Sequence, residues 1–139
     1  MTEFRHRRVV RFGECDPAGV VYYPVFFSWF HEAMEAWFEQ ALNRPYAQVI
    51  KTVGFPAVKT EAAFKRPCHV GDEVFVLLSL SKLERSSMTL QFRIIDSQKQ
   101  LRATGSVTCV SIGVSEGDFQ FKAIRIPNEL SELMKDYCS

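Results

Sequence analysis

The chain has 139 residues, of which 47% are hydrophobic and 24% charged, and its formal net charge is +1. This composition predicts a single packed domain over residues 1–139 and excludes a disordered chain. A net charge this close to zero gives no general attraction for nucleic acid. The four cysteines lack CxxC spacing, which argues against a structural zinc site or a disulfide framework. No signal peptide or membrane-length apolar run is recognised, so we expect a cytoplasmic protein.

The predicted elements begin with a strand over residues 4–12 and a loop of turn-forming residues at 13–19. From Pro24 to about Leu42, apolar residues recur every three or four positions, which predicts one long helix. The later elements are short helices at 46–53 and 127–137 and strands at 57–66, 73–83, 87–96, 100–112 and 119–126. A long helix followed by a run of strands predicts an α+β fold with an antiparallel sheet.

The segment from Phe12 to Pro24 combines features suited to acyl-transfer chemistry. Asp16 lies in a tight loop with Pro17 and Gly19, just before the predicted helix. The first turn of a helix has free N–H groups and a partial positive charge, which can stabilise an oxyanion. A carboxylate beside the same carbonyl could attack it or activate water. An aspartate before proline is, however, also typical of a turn or cap, so the residues alone leave both interpretations open.

The segment Phe12-Gly-Glu-Cys-Asp-Pro-Ala-Gly-Val-Val-Tyr-Tyr-Pro24, followed by Phe27 and Trp29, resembles the active-site signature of the 4-hydroxybenzoyl-CoA thioesterase family. A weaker similarity runs from Phe64-Lys-Arg-Pro67 into Val70-Gly-Asp-Glu-Val74. The resemblance covers essentially the whole chain. It implies a hotdog fold, in which an antiparallel sheet of about five to six strands wraps around one long helix.

The same resemblance implies an acyl-CoA thioesterase that needs no cofactor or metal. Asp16 would be the nucleophile or general base, and the backbone N–H of Tyr23 would bind the oxyanion. Its active sites would lie between the subunits of a homodimer or homotetramer. The substrate-binding residues that we carry over by position are Tyr22, Phe26, Phe27 and His31 for the acyl group, and Arg85 and Lys122 for CoA.

His31 is one departure from the family pattern, because the 4-hydroxybenzoyl-specific enzyme has an acid on the long helix for the ring hydroxyl. The turn around Arg85 is another, because it is less basic than that enzyme's nucleotide-contact turn. The acyl group therefore stays open: an aromatic acyl-CoA is favoured, and a short aliphatic one is the competitor. His31 could also be a packed or interface histidine.

Other interpretations of the sequence remain open beside hydrolysis. A non-catalytic acyl-CoA or acyl-carrier-protein binder could use the same fold, and a hotdog dehydratase is a third possibility. Glu32 or Glu35 on the helix is the fallback catalytic base. The GxSxG pattern at residues 113–117 precedes a predicted strand rather than a helix, so we interpret it as a hairpin loop.

Overall fold

The computed structural model describes residues 2–139 as eight strands and three α-helices. The strands are β1 (Phe4–Val9), β2 (Val53–Gly54), β3 (Ala57–Phe64), β4 (Glu73–Leu83), β5 (Ser87–Asp96), β6 (Leu101–Val110), β7 (Ile112–Ser115) and β8 (Asp118–Ala123). The helices are α1 (Val25–Ala36), α2 (Tyr46–Val49) and α3 (Asn128–Met134). Five strands form an antiparallel main sheet in the order β1-β4-β5-β6-β3, and the other three form a small sheet in the order β2-β7-β8.

Alternating side chains give the main sheet one buried face. On the central strand β5, Met88, Leu90, Phe92 and Ile94 are at most 1% exposed, and the residues between them are polar. The predicted strands at 73–83 and 87–96 match β4 and β5. The predicted strand at 100–112 is instead divided at Ser111 between β6 of the main sheet and β7 of the small one.

Helix α1 lies against the buried face of the main sheet. Its sheet-facing residues, spaced by three and four, are Trp29, Phe30, Ala33 and Met34, which are at most 3% exposed. The ring of Phe30 stacks on Phe92 with centroids 4.6 Å apart, and it occupies the space that a Cβ on Gly105 would fill. A π-helical turn over Trp37–Ala41 extends the helix to Leu42, where its predicted end lies. The predicted hotdog architecture, a sheet around one long helix, is confirmed.

The main sheet has two ends that differ in their surroundings. We call "acid end" the part formed by residues 13–23, 64–72 and 96–102, where β4 begins and Phe64 ends β3. We call "hairpin end" the part formed by residues 84–86 and 111–125, where β4 ends and the β7–β8 hairpin lies. The eleven residues of β4 separate the two ends. At about 3.3 Å per residue, this separation is roughly 30 Å.

Candidate active site

The loop that carries Asp16 is a small hairpin held by backbone hydrogen bonds. Cys15 and Val21 form an antiparallel bridge, and the Asp16 N–H donates to the Val20 carbonyl at 2.9 Å. Gly19 has a φ of 77°, a conformation that favours glycine, and its N–H donates to the Asp16 carbonyl at 2.9 Å. The backbone of Asp16 is therefore fixed on both sides.

Residues 68–70 lie alongside this loop and attach it to the rest of the acid end. The Val21 N–H donates to the Cys68 carbonyl at 2.9 Å, and the Val70 N–H donates to the Gly19 carbonyl at 3.1 Å. Because these bonds fix the arm that follows Asp16, and the Cys15–Val21 bridge fixes the other arm to it, the Asp16 turn is held against residues 68–70 rather than free to swing.

The attached segment is braced in turn by a buried ion pair. The guanidinium of Arg102 donates to the carbonyl of Pro67. It also donates two hydrogen bonds to the Asp96 carboxylate, at 2.9 and 3.1 Å. Asp96 is 7% exposed and also accepts the N–H groups of Gln98 and Gln100 at 2.8 and 2.9 Å. These donors, the Gln100 N–H foremost, lower the pKa of Asp96.

One oxygen of the Asp16 carboxylate is held and the other is free. Oδ1 accepts the N–H groups of Ala18 and Val20 at 2.9 and 3.3 Å. Within residues 2–139, Oδ2 receives no hydrogen bond, and the side chain is exposed in the single subunit. These contacts form an Asx turn, so the turn role that the sequence left open is present. The free oxygen leaves room for chemistry as well.

The N-terminus of α1 lies directly after this loop. The Val25 N–H donates to the Tyr22 carbonyl at 2.9 Å, and the Phe26 N–H donates to the Tyr23 carbonyl at 3.2 Å. Pro24 has no N–H, and the Tyr23 N–H finds no acceptor in the part of the chain that the structure describes. Tyr23 thus offers a free backbone donor at the positive end of the helix.

An open, mostly apolar crevice of about 330 Å³ borders Tyr23. The ring of Phe64 packs against the rings of Phe26 and Tyr23, with centroid distances of 5.2 Å and 6.2 Å. Lys65 and Arg66 add two cationic side chains to the lining of the crevice. Of the predicted acyl-group residues, Phe26 lines this crevice, and Tyr22 lies beside it, 5.4 Å from Tyr23.

A second cavity, of about 260 Å³, lies between α1 and the strands β3 and β6. Phe27 and His31, also predicted for the acyl group, line it together with Thr60. His31 Nε2 lies 2.7 Å from a carboxylate oxygen of Glu35, and its ring meets the ring of Tyr46 edge-on. The cavity is therefore apolar with a small polar region around His31.

Tyr46 and Cys109 are two further groups near the second cavity, and both are neutral at pH 7. Burial raises the pKa of Tyr46 to about 12 and that of Cys109, which lines the cavity, to about 11. The most polar groups of this region are therefore the side chains of His31 and Glu35, which contact each other. That pair is half exposed, so water reaches it.

The two cysteines at the acid end are poorly suited to nucleophilic attack. Burial, assisted by the Glu14 and Asp16 carboxylates, raises the pKa of Cys15, and burial raises that of Cys68 to about 11. Because the thiolate is the reactive form, neither residue is activated near neutral pH. Cys15 instead packs against the hydrophobic core.

The residues predicted to contact CoA lie far from Asp16 within one subunit. Arg85 is in the β4–β5 turn, and Lys122 is on the fully exposed strand β8, both at the hairpin end. Arg85 borders a polar cavity of about 390 Å³ that also includes Arg125. The structure therefore does not bring these cations and Asp16 together in a single subunit, and their role stays a prediction.

The fallback bases on α1 are both engaged with neighbouring side chains. Glu32 lies 2.9 Å from His6 Nε2 and 3.2 Å from Arg8 Nη1, while Glu35 pairs with His31. Both glutamate carboxylates therefore already contact other side chains, whereas Oδ2 of Asp16 receives no hydrogen bond within residues 2–139. The geometry thus favours Asp16 over either glutamate.

Glu14, which lies beneath the Asp16 loop, was not among the site residues predicted from the sequence. Its carboxylate accepts hydrogen bonds from Arg8, Arg11 and Trp29. A signal was present: Glu14 is the third residue of a short 3-10 turn that begins after Arg11, where an acid can reach back to the capping N–H. Its contacts with Arg8 and Trp29 come from the tertiary fold and have no local sequence signature.

Residues 2–139 contain neither a candidate metal-binding cluster nor a candidate membrane-spanning helix. No group of three or more His, Cys, Asp or Glu residues in this range could hold a metal ion. None of the helices described there is long and apolar enough to cross a membrane.

A five-stranded antiparallel sheet around one long helix defines a hotdog-fold protein. A 1,4-dihydroxy-2-naphthoyl-CoA hydrolase of Prochlorococcus marinus is 36% identical over 94 residues, which are 62% of each chain. A gentisyl-coenzyme A thioesterase structure has a TM-score of 0.82 and 29% identity, covering 94% of this chain and 98% of the other. A Synechocystis 1,4-dihydroxy-2-naphthoyl-CoA thioesterase has a TM-score of 0.85 and 25% identity, covering 97% of both chains.

The family model of the thioesterase-like superfamily matches residues 10–134. The chain belongs to this superfamily, which confirms the family that the Phe12–Pro24 signature indicated. The chain spans 62% of the length of the Prochlorococcus hydrolase that it matches.

Proposed function

We propose that this protein is an acyl-CoA thioesterase that hydrolyses its substrate to a free acid and CoA. The observation that carries the proposal is that two groups in one fixed segment, Oδ2 of Asp16 and the N–H of Tyr23, both lack hydrogen-bond partners within residues 2–139. That segment borders an aromatic crevice in which a thioester carbonyl can lie. Superfamily membership supports the same activity.

Two chemical routes fit these groups. As a general base, Asp16 removes a proton from water, the water oxygen bonds to the carbonyl carbon, and the C–S bond breaks to release CoA thiolate. As a nucleophile, Asp16 first forms a mixed anhydride as the thiolate leaves, and water then hydrolyses the anhydride. In both routes the Tyr23 N–H donates to the carbonyl oxygen as it becomes negative. Thiolate is a good leaving group, so neither route needs a separate general acid.

An aromatic acyl group is favoured over a short aliphatic one. Tyr22, Tyr23, Phe26 and Phe64 surround the crevice with rings, which pack well against a flat ring. The similar proteins described above are named for naphthoyl-CoA and gentisyl-CoA thioesters, which have aromatic acyl groups. His31 beside the second cavity would supply a polar contact at the far end of the acyl group.

The proposed site needs a second subunit. Asp16 is exposed in the single chain, and Tyr22 and Tyr23 are 55% and 59% exposed. Exposed rings around an acid are typical of a surface that another chain covers. The outer edge of β3 is also unpaired within residues 2–139, which leaves backbone groups available for a copy of this strand. We therefore propose a homodimer or homotetramer with the sites between subunits.

A cytoplasmic location completes the proposal. All four cysteines are free, as expected for a protein in a reducing compartment.

The decisive experiment measures thiol release from a panel of acyl-CoAs with the wild type and Asp16→Asn. The panel contains benzoyl-, 4-hydroxybenzoyl-, 1,4-dihydroxy-2-naphthoyl-, acetyl- and hexanoyl-CoA. We expect the aromatic thioesters to react fastest, and Asp16→Asn to lower kcat by about 100-fold or more, because amides cannot replace the carboxylate in either route.

The matched control is Asp118→Asn, which changes an exposed aspartate at the hairpin end and should leave turnover unchanged. A wild type that binds the thioesters without releasing thiol would instead establish the non-catalytic binder, which the Asx-turn role of Asp16 also allows. Undiminished turnover by Asp16→Asn would remove Asp16 from the mechanism.

A further inference from the structure

Glu14 joins three separate parts of the chain beneath the Asp16 loop. Nη2 of Arg8, on β1, donates to both carboxylate oxygens of Glu14 at 2.8 and 2.7 Å. The indole N–H of Trp29, on α1, donates at 2.8 Å, and the backbone N–H of Arg11 donates at 2.9 Å. One carboxylate thus connects a strand, the long helix and the start of the loop.

The surroundings make this connection stiffer than a surface ion pair. The side chains of Arg8 and Glu14 are 12% and 20% exposed, and the guanidinium of Arg8 lies 4.7 Å from the ring centroid of Trp29. Limited exposure reduces screening by water, and charge-assisted hydrogen bonds are stronger than neutral ones. The indole and guanidinium also restrict each other by stacking. Glu14 therefore has little freedom to move.

Glu14 also controls both ends of the loop through its backbone. Its carbonyl accepts the N–H of Tyr22 at 3.0 Å, and Tyr22 directly precedes Tyr23, whose N–H is free. In the other direction, Glu14 is two residues before Asp16. A displacement of Glu14 would consequently move the free carboxylate oxygen and the free N–H relative to each other.

We propose that Glu14 is a positioning residue that sets the separation between the Asp16 carboxylate and the Tyr23 N–H. The inference rests on the proposed thioesterase activity. Glu14 does not touch the substrate; it acts through the geometry of the two groups that do. Misplacement of reacting groups by 1 Å can cost about 100-fold in rate, so a small shift of this anchor has a large effect on turnover.

The test is a double-mutant cycle that combines Glu14→Gln with Asp16→Asn. Glutamine has the size of glutamate, but its NH2 group would face donors from Arg8, Arg11 or Trp29 instead of accepting from them. Turnover of 4-hydroxybenzoyl-CoA, or of the best substrate in the panel, is measured for all four proteins together with their thermal unfolding.

We expect Glu14→Gln to lower kcat by about 10- to 100-fold in the Asp16 protein while KM changes less than about threefold. In the Asp16→Asn background the same change should lower kcat by less than about twofold, because the group that it positions is already gone. An equal loss in both backgrounds, or a loss that falls on KM, would overturn the proposal. A destabilisation of the whole fold would reduce Tm equally in both backgrounds and would not produce this asymmetry.

Two further variants complete the design. Glu3→Gln removes a carboxylate that pairs with Arg93 at 3.1 Å near the start of β1, and it should leave kcat unchanged. If Glu14→Gln does not fold, Trp29→Phe deletes one donor to the same carboxylate and should give a smaller loss with the same asymmetry. A wild type that releases no thiol would be a failure of the proposed function, and full activity of Asp16→Asn would be a failure of the proposed role of Asp16. Both results are distinguishable from a failure of the Glu14 role, which appears as an equal loss in the two backgrounds.

Discussion

The acid end and the hairpin end of the subunit differ in how firmly they are held. At the acid end, Asp16 lies in a loop bonded to residues 68–70 and anchored by Glu14. At the hairpin end, every residue of β8 is exposed, and Phe121 reaches 84% exposure. Large exposed rings on a thin hairpin are typical of a surface that another molecule covers. The acid end is therefore held by more hydrogen bonds, as the proposed chemistry requires, and the exposed hairpin end is suited to contact with another molecule.

The charged groups that the proposed site needs are divided between the two ends. The acid end has the free Asp16 carboxylate, whereas the hairpin end has Arg85, Lys122 and Arg125. Antiparallel pairing of two β3 strands about a twofold axis would place the acid end of one subunit beside the hairpin end of the other. In such a dimer, Asp16 of one subunit would lie near Arg85 and Lys122 of the other, although roughly 30 Å separates the two ends within one subunit.

Mixed dimers give the largest expected effect. One parent is Asp16→Asn, and the other is the double variant Arg85→Glu with Lys122→Glu. Each homodimer should be nearly inactive at low substrate concentration, since one lacks the acid and the other lacks the cations. The two parents are co-expressed with different tags, and the mixed dimer is purified through both tags. Because the acid and the cations of each proposed site come from different subunits, this dimer contains one intact site of two. We expect about half of the wild-type kcat/KM.

Two results would contradict the proposed contact between the acid end of one subunit and the hairpin end of the other. Mixed dimers with no more activity than the mean of their parents would mean that the two ends do not meet across subunits. Failure to recover any doubly tagged protein would mean that the proposed oligomer does not form. The control pairs Asp16→Asn with the wild type, which should also reach about half activity.

The two ends are connected by α1, and Gly105 determines how closely that helix approaches the sheet. A Cβ at this position would collide with the Phe30 ring and lie 3.2 Å from the Glu61 carbonyl. Because Phe30 is stacked on Phe92, it has little room to yield. We expect Gly105→Ala to lower the free energy of unfolding by about 1–3 kcal/mol, the usual cost of overpacking, as measured by urea denaturation.

Gly113→Ala is the matched control, since the nearest atom to its new methyl group is Ile124 Cγ2 at 3.9 Å. It places the same change on β7 at the hairpin end and should cost distinctly less. Equal costs at Gly105 and Gly113 would show that the contact with Phe30 is not what limits the approach of α1.

The main sheet and the long helix were predictable because their signals are local. Turn segments at 70–72, 84–86 and 96–99 predicted the bounds of β4 and β5, and the spacing of apolar residues predicted the helix up to Leu42. The change of sheet at Ser111 was not predictable in this way. Its N–H donates to the Ser86 carbonyl, and its carbonyl accepts from Ile124, so long-range pairing decides where β6 ends.

The site was predictable in part for the same reason. Asp16 and Tyr23 belong to one continuous motif, so the sequence could indicate both together. Glu14 was missed because its partners Arg8 and Trp29 come from other elements. Arg85 and Lys122 were assigned by position along the chain, and that position gives no information about which subunit's acid they would serve.

The firmness of the acid end has a pH dependence that follows from Asp96. Its pKa is lowered below its ordinary value of 3.8, first by the Gln100 N–H and then by Arg102. The folded state therefore favours the charged carboxylate, and this contribution to stability is complete above the unfolded pKa. It is lost as the pH falls from that value through the lower folded pKa. We expect Asp96→Asn to destabilise the protein at pH 7, with the deficit relative to wild type shrinking below about pH 4.

Urea denaturation of both proteins between pH 7 and pH 2.5 measures this deficit directly. Asp118→Asn at the hairpin end is the comparison, because its carboxylate is on exposed β8 and accepts no hydrogen bond described within residues 2–139. A deficit that stays constant as the pH falls would mean that Asp96 acts through packing rather than through its charge. A deficit at Asp118 equal to that at Asp96 would mean that the acid end is not the more firmly braced of the two.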